Sequence, residues 1–310
     1  MRTGIKVFAP ATVANVGVGF DILGFALNEP GDEIVARFEG ESGLKIGKIT
    51  GAKGMLPYEI EKNTAGVAAQ AVLNAIEYKG EGISLEIRKK MPFSSGLGSS
   101  AASAVAGAMA INELLKRPFE KRELLHFAAL GEAVASGTYH LDNVAPSLLG
   151  GMILIRDSKS LDIHRIHIPR GLHVVVVYPE VAINTKDARS ILKETISLNQ
   201  HIRQSGNLAG FITGLFTSDI DPIKRSLEDV IIEDQRSHLI PNFKEIQSAA
   251  MENGALGCTI SGAGPSIFAL CQSTFIAKNV EEAMSNIYSE SKINFKIYSS
   301  PINNEGAIKF

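Results

Sequence analysis

The sequence contains no tryptophan and only two cysteines among its 310 residues. Cys258 and Cys271 do not form a CxxC pair, and both lie in apolar stretches, so their placement disfavours a metal site and a disulfide. We therefore expect two buried free thiols in a reducing compartment. A chain of this length buries enough apolar surface to fold without cross-links or a structural metal.

The sequence also has little excess charge of either sign and few long apolar runs. The 31 basic and 33 acidic residues leave a net charge of −2, whereas proteins that coat nucleic acid or anionic membranes need an excess of Lys and Arg. Residues 91–112 carry no charge, but their proline, glycines and five serines do not suit a membrane-spanning helix. No targeting segment stands out. We predict a soluble cytoplasmic protein with no nucleic-acid or membrane partner.

Apolar periodicity predicts helices and strands mixed along the whole chain, without a regular βαβ repeat. Residues 83–89 alternate as a strand does, and residues 99–115 form a helix of small side chains. The four valines within residues 172–178 indicate a central strand. A polar turn at residues 157–160 suggests a boundary. The sequence thus predicts an α+β fold with two domains, residues 1–160 and 161–310.

Glycine is abundant, with 29 residues, and its densest cluster is PFSSGLGSSAAS at residues 92–103. This segment follows a predicted strand and opens a predicted helix, whose first N–H groups lack partners and carry partial positive charge. Gly96 and Gly98 let the backbone turn those groups toward one point, and Ser99 and Ser100 add hydroxyl donors. The segment predicts a phosphate site; the alternative is a plain turn capped by a serine.

Two common phosphate motifs do not fit this segment. A P-loop requires a lysine directly after its glycines, and none follows here. The spacing of Gly96, Gly98 and Ala101 satisfies a loose dinucleotide pattern, but that fold needs a second parallel strand ending in an acid about 20 residues on. Residues 119–135 are predicted to be helical instead, which excludes a dinucleotide-binding domain.

Three further segments place glycine or polar side chains between apolar stretches. They are ATVANVGVGFD at residues 11–21, HLDNVAP at residues 140–146 and GCTISGAGPS at residues 257–266. A lone Asn or Asp in such a place usually forms a turn. Together and in order, the four segments resemble the GHMP kinases, which include galactokinase, homoserine kinase and mevalonate kinase.

The resemblance covers nearly the whole chain. Residues 92–103 are similar to the family's signature for ATP phosphates, and Gly262-Ala263-Gly264 is similar to its C-terminal glycine motif. Within the family, residues 11–21, residues 140–146 and TKDAR at residues 185–189 resemble segments of homoserine kinases. Residues 195–235 are the least constrained part.

This resemblance implies a fold and an activity. The N-terminal domain would contain a left-handed β-α-β unit, and the C-terminal domain would be ferredoxin-like. The protein would use ATP and Mg²⁺ to phosphorylate the hydroxyl of L-homoserine to O-phospho-L-homoserine, a step of threonine biosynthesis, and would be a homodimer. Two alternatives stay open: a GHMP kinase for another small alcohol such as mevalonate or shikimate, and a non-catalytic homologue that binds a metabolite.

The resemblance also implies which residues hold the nucleotide and its metal. The nucleotide would contact Asn63, Pro92, Ser94, Ser95, Gly96, Leu97, Gly98, Ser99, Ser100, Ala101, Gly262 and Gly264. Ser100 and Glu132 would hold Mg²⁺, which prefers oxygen ligands and shares them with phosphates. Asn63 could equally be a helix cap. Lys89 and Lys90 suit a solvated strand end, and the alternative is that they add positive field near the phosphates.

On the acceptor side, the implied contacts to L-homoserine are Asn15, Asp21, His140, Asp142, Asn143, Arg189 and Arg236. A carboxylate calls for arginine, whose planar fork donates two parallel hydrogen bonds. Catalytic roles fall to Asn143, Asp21 and Glu132. Because an amide cannot accept a proton at neutral pH, Asn143 is predicted to orient the acceptor hydroxyl rather than deprotonate it. Asp21 is predicted to bind the ammonium group.

Overall fold

Two β-sheets organise residues 4–137 and 139–310, which are the residues that the computed structural model describes. The larger sheet contains seven strands: β1 (Ile5–Ala14), β2 (Leu23–Phe38), β3 (Leu44–Thr50), β4 (Ile83–Arg88), β5 (Met152–Asp157), β6 (Asp162–Ile166) and β11 (Ile308–Lys309). The smaller sheet contains four: β7 (His173–Pro179), β8 (Gly257–Ile260), β9 (Ile267–Cys271) and β10 (Phe295–Pro301). No helix in the described part of the chain is long and apolar enough to cross a membrane.

The larger sheet runs β11-β1-β2-β4-β3, with β5 paired to the first part of β2 and β6 paired to β5. Its helices are α1 (Thr64–Ala75), α2 (Ser99–Leu114), α3 (Leu124–Ser136) and α4 (Val144–Leu149). Strands β3 and β4 are parallel neighbours joined through α1, which is the β-α-β unit that the resemblance implies. Helix α2 is buried along almost its whole length between the sheet, α1 and α3, because its small side chains allow close packing.

The smaller sheet has the strand order β10-β7-β9-β8 and is antiparallel throughout. Helices α5 (Thr185–Ser190), α6 (Leu198–Thr217), α7 (Ile220–Ser226), α8 (Glu233–Arg236) and α9 (Phe243–Glu252) lie between β7 and β8 in the chain, and α10 (Thr274–Glu290) joins β9 to β10. Helices α9 and α10 pack on this sheet, so β7-α9-β8-β9-α10-β10 has the β-α-β-β-α-β connectivity of a ferredoxin-like unit. The predicted C-terminal fold is confirmed, and the valines of β7 are fully buried at its centre.

The polar turn near residue 160 joins β5 to β6 within the larger sheet. A domain boundary at residue 160 would therefore divide one hairpin between two domains. The last residues also return to the larger sheet, where β11 pairs with β1 and Ile302 bridges to Leu27. We propose instead that the first domain extends through β6 and also includes the last residues of the chain.

A buried ion pair fixes the start of α2 to the larger sheet. Lys89, at the end of β4, donates from Nζ to Asp32 of β2, and both side chains are almost fully buried. The same Nζ lies 2.9 Å from the Ser99 carbonyl oxygen, 2.6 Å from the Ser99 hydroxyl and 2.8 Å from the Ser103 hydroxyl. The prediction of a solvated strand end was wrong for Lys89, because α2 covers the end of β4.

We expect Lys89→Met to lower the free energy of unfolding by about 3–5 kcal/mol, because Asp32 would remain buried without its counter-charge. Lys90→Met is the matched control, since Lys90 is about half exposed and pairs with Glu33 at the surface; it should cost about 1 kcal/mol or less. Urea unfolding of both variants measures the difference. Equal effects from the two substitutions would contradict this account of the ion pair.

Candidate active site

The glycine-rich segment at residues 92–98 leads from β4 into the first turn of α2. Gly98 precedes the helix with φ of 67°, and no side chain caps the first turn among the residues described. The helix therefore begins with N–H groups that lack side-chain partners, at the end where its dipole is positive. This arrangement suits a phosphate, as the sequence predicts.

The turn between β8 and β9, which belongs to the smaller sheet, forms hydrogen bonds with this segment. The Ser261 hydroxyl donates to the Gly96 carbonyl oxygen at 2.7 Å, and the Ser266 N–H donates to the Ser95 carbonyl oxygen at 3.1 Å. A Cβ atom at Gly96 would lie 2.4 Å from the Ser261 carbonyl oxygen, so only glycine allows this approach. Gly264 belongs to the same turn, where its N–H donates to Ser261. The C-terminal glycine motif thus contacts the glycine-rich segment at residues 92–98 directly, and we call that segment the phosphate segment.

Several predicted nucleotide contacts have side chains engaged elsewhere. Leu97 and Ala101 are buried in the core, and the Ser95 hydroxyl donates to the Pro92 carbonyl oxygen. The predicted role of the Ser99 hydroxyl is corrected, because Lys89 holds that hydroxyl beneath the helix. These residues can offer a phosphate only their backbone. Ser94 lies on the same loop with a positive φ of 48°.

Asn63 caps helix α1. Its side-chain oxygen accepts from the N–H groups of Ala65 and Gly66, and its side-chain nitrogen donates to the Pro57 carbonyl oxygen. The side chain is almost fully buried, so the helix cap accounts for its polar atoms. A contact of Asn63 with the nucleotide stays a prediction.

Ser100 and Glu132 meet across helices α2 and α3, as the resemblance implies. The Ser100 hydroxyl donates to Glu132 Oε1 at 3.0 Å, and burial raises the pKa of Glu132 to about 7. Two oxygens at adjacent positions of one octahedral Mg²⁺ ion, each roughly 2.1 Å from it, lie about 3 Å apart, so this pair fits such an ion. No group of three or more His, Cys, Asp or Glu side chains in the described ranges could hold a metal alone. The pair therefore suits a metal that takes its other ligands from a phosphate.

The predicted acceptor residues Asp21, His140 and Arg189 form one cluster. Arg189 donates to Asp21 Oδ2 and lies 2.9 Å from His140 Nε2. Because a guanidinium can only donate, His140 Nε2 must be the acceptor, which places the imidazole proton on Nδ1, 3.8 Å from Asp21 Oδ1. Burial and the charge of Arg189 lower the pKa of His140, against the opposing effect of Asp21. His140 is therefore neutral at pH 7.

Asn15 organises the loop that carries Asp21. Its side-chain oxygen accepts from the Asp21 N–H at 2.9 Å, and its side-chain nitrogen donates to the Gly262 carbonyl oxygen at 2.9 Å. Asn15 and Asp21 have φ angles of 70° and 62°, a left-handed conformation that Asn and Asp tolerate better than most residues. Asn15 thus joins the acceptor loop to the C-terminal glycine motif.

Arg236 lies beside this cluster, and its hydrogen-bond partners there are backbone carbonyl oxygens. Its Nε donates to the Ala188 carbonyl oxygen at 2.8 Å, and its Nη1 donates to the Gly262 carbonyl oxygen at 3.3 Å. The residue is 4% exposed, and no carboxylate of residues 4–137 and 139–310 pairs with it. Burial, and then repulsion from Arg189, lowers the pKa of Arg236 to about 10. A buried cation without a carboxylate partner is a binding position for an anion.

Asn143 is the predicted acceptor residue that lies against the phosphate segment. The Thr12 hydroxyl donates to Asn143 Oδ1 at 2.6 Å. A Cβ atom at Gly98 would lie 2.7 Å from that oxygen and 2.2 Å from the Thr12 hydroxyl oxygen, so glycine is required here too. The sequence analysis did not predict Thr12 as a site residue, although Thr12 lies within the segment at residues 11–21. Next to Asn143, burial and then the Asp21 charge raise the pKa of Asp142 to about 7.

Comparisons with known proteins agree with this geometry. Residues 63–151 match the model of the GHMP kinases N terminal domain, and residues 211–290 match that of the GHMP kinases C terminal domain. A homoserine kinase of Chlorobium phaeobacteroides (strain BS1) is 45% identical over 319 residues, covering 99% of this chain and 99% of the relative.

Solved structures agree as well. A crystal structure of homoserine kinase from Cytophaga hutchinsonii ATCC 33406 has a TM-score of 0.97 and 46% identity, covering 100% of this chain and 98% of that chain. A mevalonate kinase of L. major in complex with R-mevalonate has a TM-score of 0.71 at 18% identity over 96% of each chain, which shows the shared fold alone. On the matched domains and the full-length relatives, the chain belongs to the homoserine kinases of the GHMP kinase family.

Proposed function

We propose that this protein transfers the γ-phosphate of ATP to the hydroxyl of L-homoserine, giving O-phospho-L-homoserine for threonine biosynthesis. The observation that carries this proposal is the buried Arg236, which forms no ion pair with a carboxylate of the described chain. A free amino acid brings the missing carboxylate. Membership of the homoserine kinases supports the same substrate.

The charges of the acceptor cluster favour an amino acid over other small alcohols. With His140 neutral, Arg189 and Arg236 supply two positive charges, and Asp21 supplies one negative charge in contact with Arg189. A substrate carboxylate would balance the second guanidinium. Mevalonate and shikimate also carry a carboxylate, but they have no ammonium group to offer Asp21. Asp21 is therefore the group that would select an amino acid.

Transfer would take place where α2 begins. The γ-phosphate would be held by the first N–H groups of α2, and Ser100 and Glu132 would hold Mg²⁺, which supplies positive charge to offset that of the phosphates. Asn143 touches both Thr12 and the space beside Gly98, so it can place the acceptor hydroxyl against the phosphate. In this mechanism positioning supplies much of the acceleration.

No single carboxylate acts as general base in this mechanism. Phosphoryl transfer is largely dissociative, so the attacking oxygen can keep its proton until late in the reaction. Asp21 already bonds to Arg189 and would bind the ammonium group, while Asp142 is almost fully buried. The homodimer that the resemblance implies and the cytoplasmic location that the sequence indicates stay predictions.

Purified protein with MgATP should release ADP faster with L-homoserine than with mevalonate, shikimate or L-serine. A coupled assay for ADP measures these rates. Faster turnover of mevalonate or shikimate would favour a different small-alcohol kinase. A folded sample that shows no acceptor-dependent ADP release would support a metabolite-binding homologue and refute the proposal.

Arg236→Lys should weaken L-homoserine binding by roughly 1.5–3 kcal/mol, because the charge remains but the fork and its buried hydrogen bonds are lost. The KM for ATP should stay close to that of the wild type. Arg203→Lys is the control, since Arg203 is exposed and pairs with Glu228. A thermal melt confirms folding, and a loss of ATP affinity instead would move Arg236 to the nucleotide side.

The pH dependence of kcat tests the absence of a general base. Because the pKa of Asp142 is raised to about 7, a catalytic Asp142 would lose its proton-accepting form as the pH falls below 7, and kcat would fall with it. We expect Asp142→Asn and Asp21→Asn to leave the shape of the kcat profile unchanged. An acidic limb that vanishes in one variant, with a loss of about 10³-fold or more, would identify a base and overturn the mechanism.

A further inference from the structure

The ring of Phe20 lies against both Arg189 and Arg236. The guanidinium carbon of Arg189 is 5.3 Å from the centroid of the Phe20 ring, and that of Arg236 is 5.2 Å from it. Both distances fall within the range of cation–π attraction. One aromatic ring therefore contacts the two cations that the substrate carboxylate would have to meet.

The two arginines need such a contact because they repel each other. Repulsion from Arg189 contributes to the lowered pKa of Arg236. Arg189 is held by Asp21 and His140, and Arg236 by backbone carbonyl oxygens. The negative face of an aromatic ring attracts both cations without neutralising either, so both keep their charge for an anion.

The position of the ring is set by the loop that carries it. Phe20 precedes Asp21, whose N–H is bonded to the side chain of Asn15 and whose left-handed φ fixes the turn. Phe20 is half-buried and belongs to neither hydrophobic core of the residues described. Because its ring does not fill a core, its loss should disturb the arginines more than the stability of the fold.

We propose that Phe20 is a positioning residue that orients Arg189 and Arg236 to receive a carboxylate, and so sets the preference for acceptors that carry one. This inference rests on the proposed function, because it assigns the carboxylate of the acceptor to these two arginines. It adds a specificity determinant that the motif resemblance does not assign.

The experiment compares kcat/KM for L-homoserine and for homoserinol, in which a hydroxymethyl group replaces the carboxylate. Phe20→Leu should raise the KM for L-homoserine about 10-fold, as expected for two weakened cation–π contacts, with kcat and the KM for ATP nearly unchanged. The kcat/KM for homoserinol should not change, because that acceptor has no carboxylate to orient. Phe20→Tyr keeps the ring and should behave like the wild type.

Phe275→Leu is the matched control, because Phe275 is 73% exposed on α10, a helix that carries none of the predicted site residues. Phe20→Leu with an unchanged KM for L-homoserine would overturn the inference while leaving the proposed function intact. An equal fall in kcat/KM for L-homoserine and for homoserinol would also overturn it. So would a Phe20→Tyr variant whose KM for L-homoserine rises as much as that of Phe20→Leu. A wild-type protein without homoserine-dependent activity would instead refute the proposed function, and the role of Phe20 with it.

Discussion

The site depends on two glycine positions of one segment where neighbouring atoms leave no room for a side chain. At Gly96 the phosphate segment meets the turn between β8 and β9, and at Gly98 it meets Thr12 and Asn143. The first contact joins the two domains, and the second joins the phosphate position to the acceptor position. Both ends of the reaction are therefore located by contacts to one short segment, whose helix is in turn anchored by Lys89.

Buried charge serves two purposes in this molecule, and the surroundings of each charge distinguish them. Lys89 is surrounded by Asp32 and three further oxygen atoms, so its charge is satisfied within the protein and stabilises the fold. Arg236 is also buried, but among the described residues it forms hydrogen bonds to two carbonyl oxygens and no ion pair with a carboxylate. A buried charge costs free energy unless it is paired, so an unpaired one marks a place for a ligand.

Local features were predictable from the sequence, and contacts between distant segments were not. The phosphate segment, the small-residue helix α2 and the valine strand β7 each have a signal within a few neighbouring residues. Strand β3 was missed because it buries only Ile46 and so lacks a clear alternation. Lys89 and Asp32 are 57 positions apart in the sequence, and no local pattern indicates that they form an ion pair. The same holds for Thr12, whose partner Asn143 is 131 positions away.

The return of the chain's last residues to β1 constrains the order in which the protein can be completed during synthesis. Strand β11 pairs with Val7 and Phe8, and the Phe310 N–H donates to the Lys6 carbonyl oxygen. The smaller sheet has all its strands once residue 301 has been made, whereas the larger sheet lacks an edge strand until residues 308–309 leave the ribosome. The nascent chain must therefore carry an open edge on β1 until residues 308–309 have been made and can pair with it.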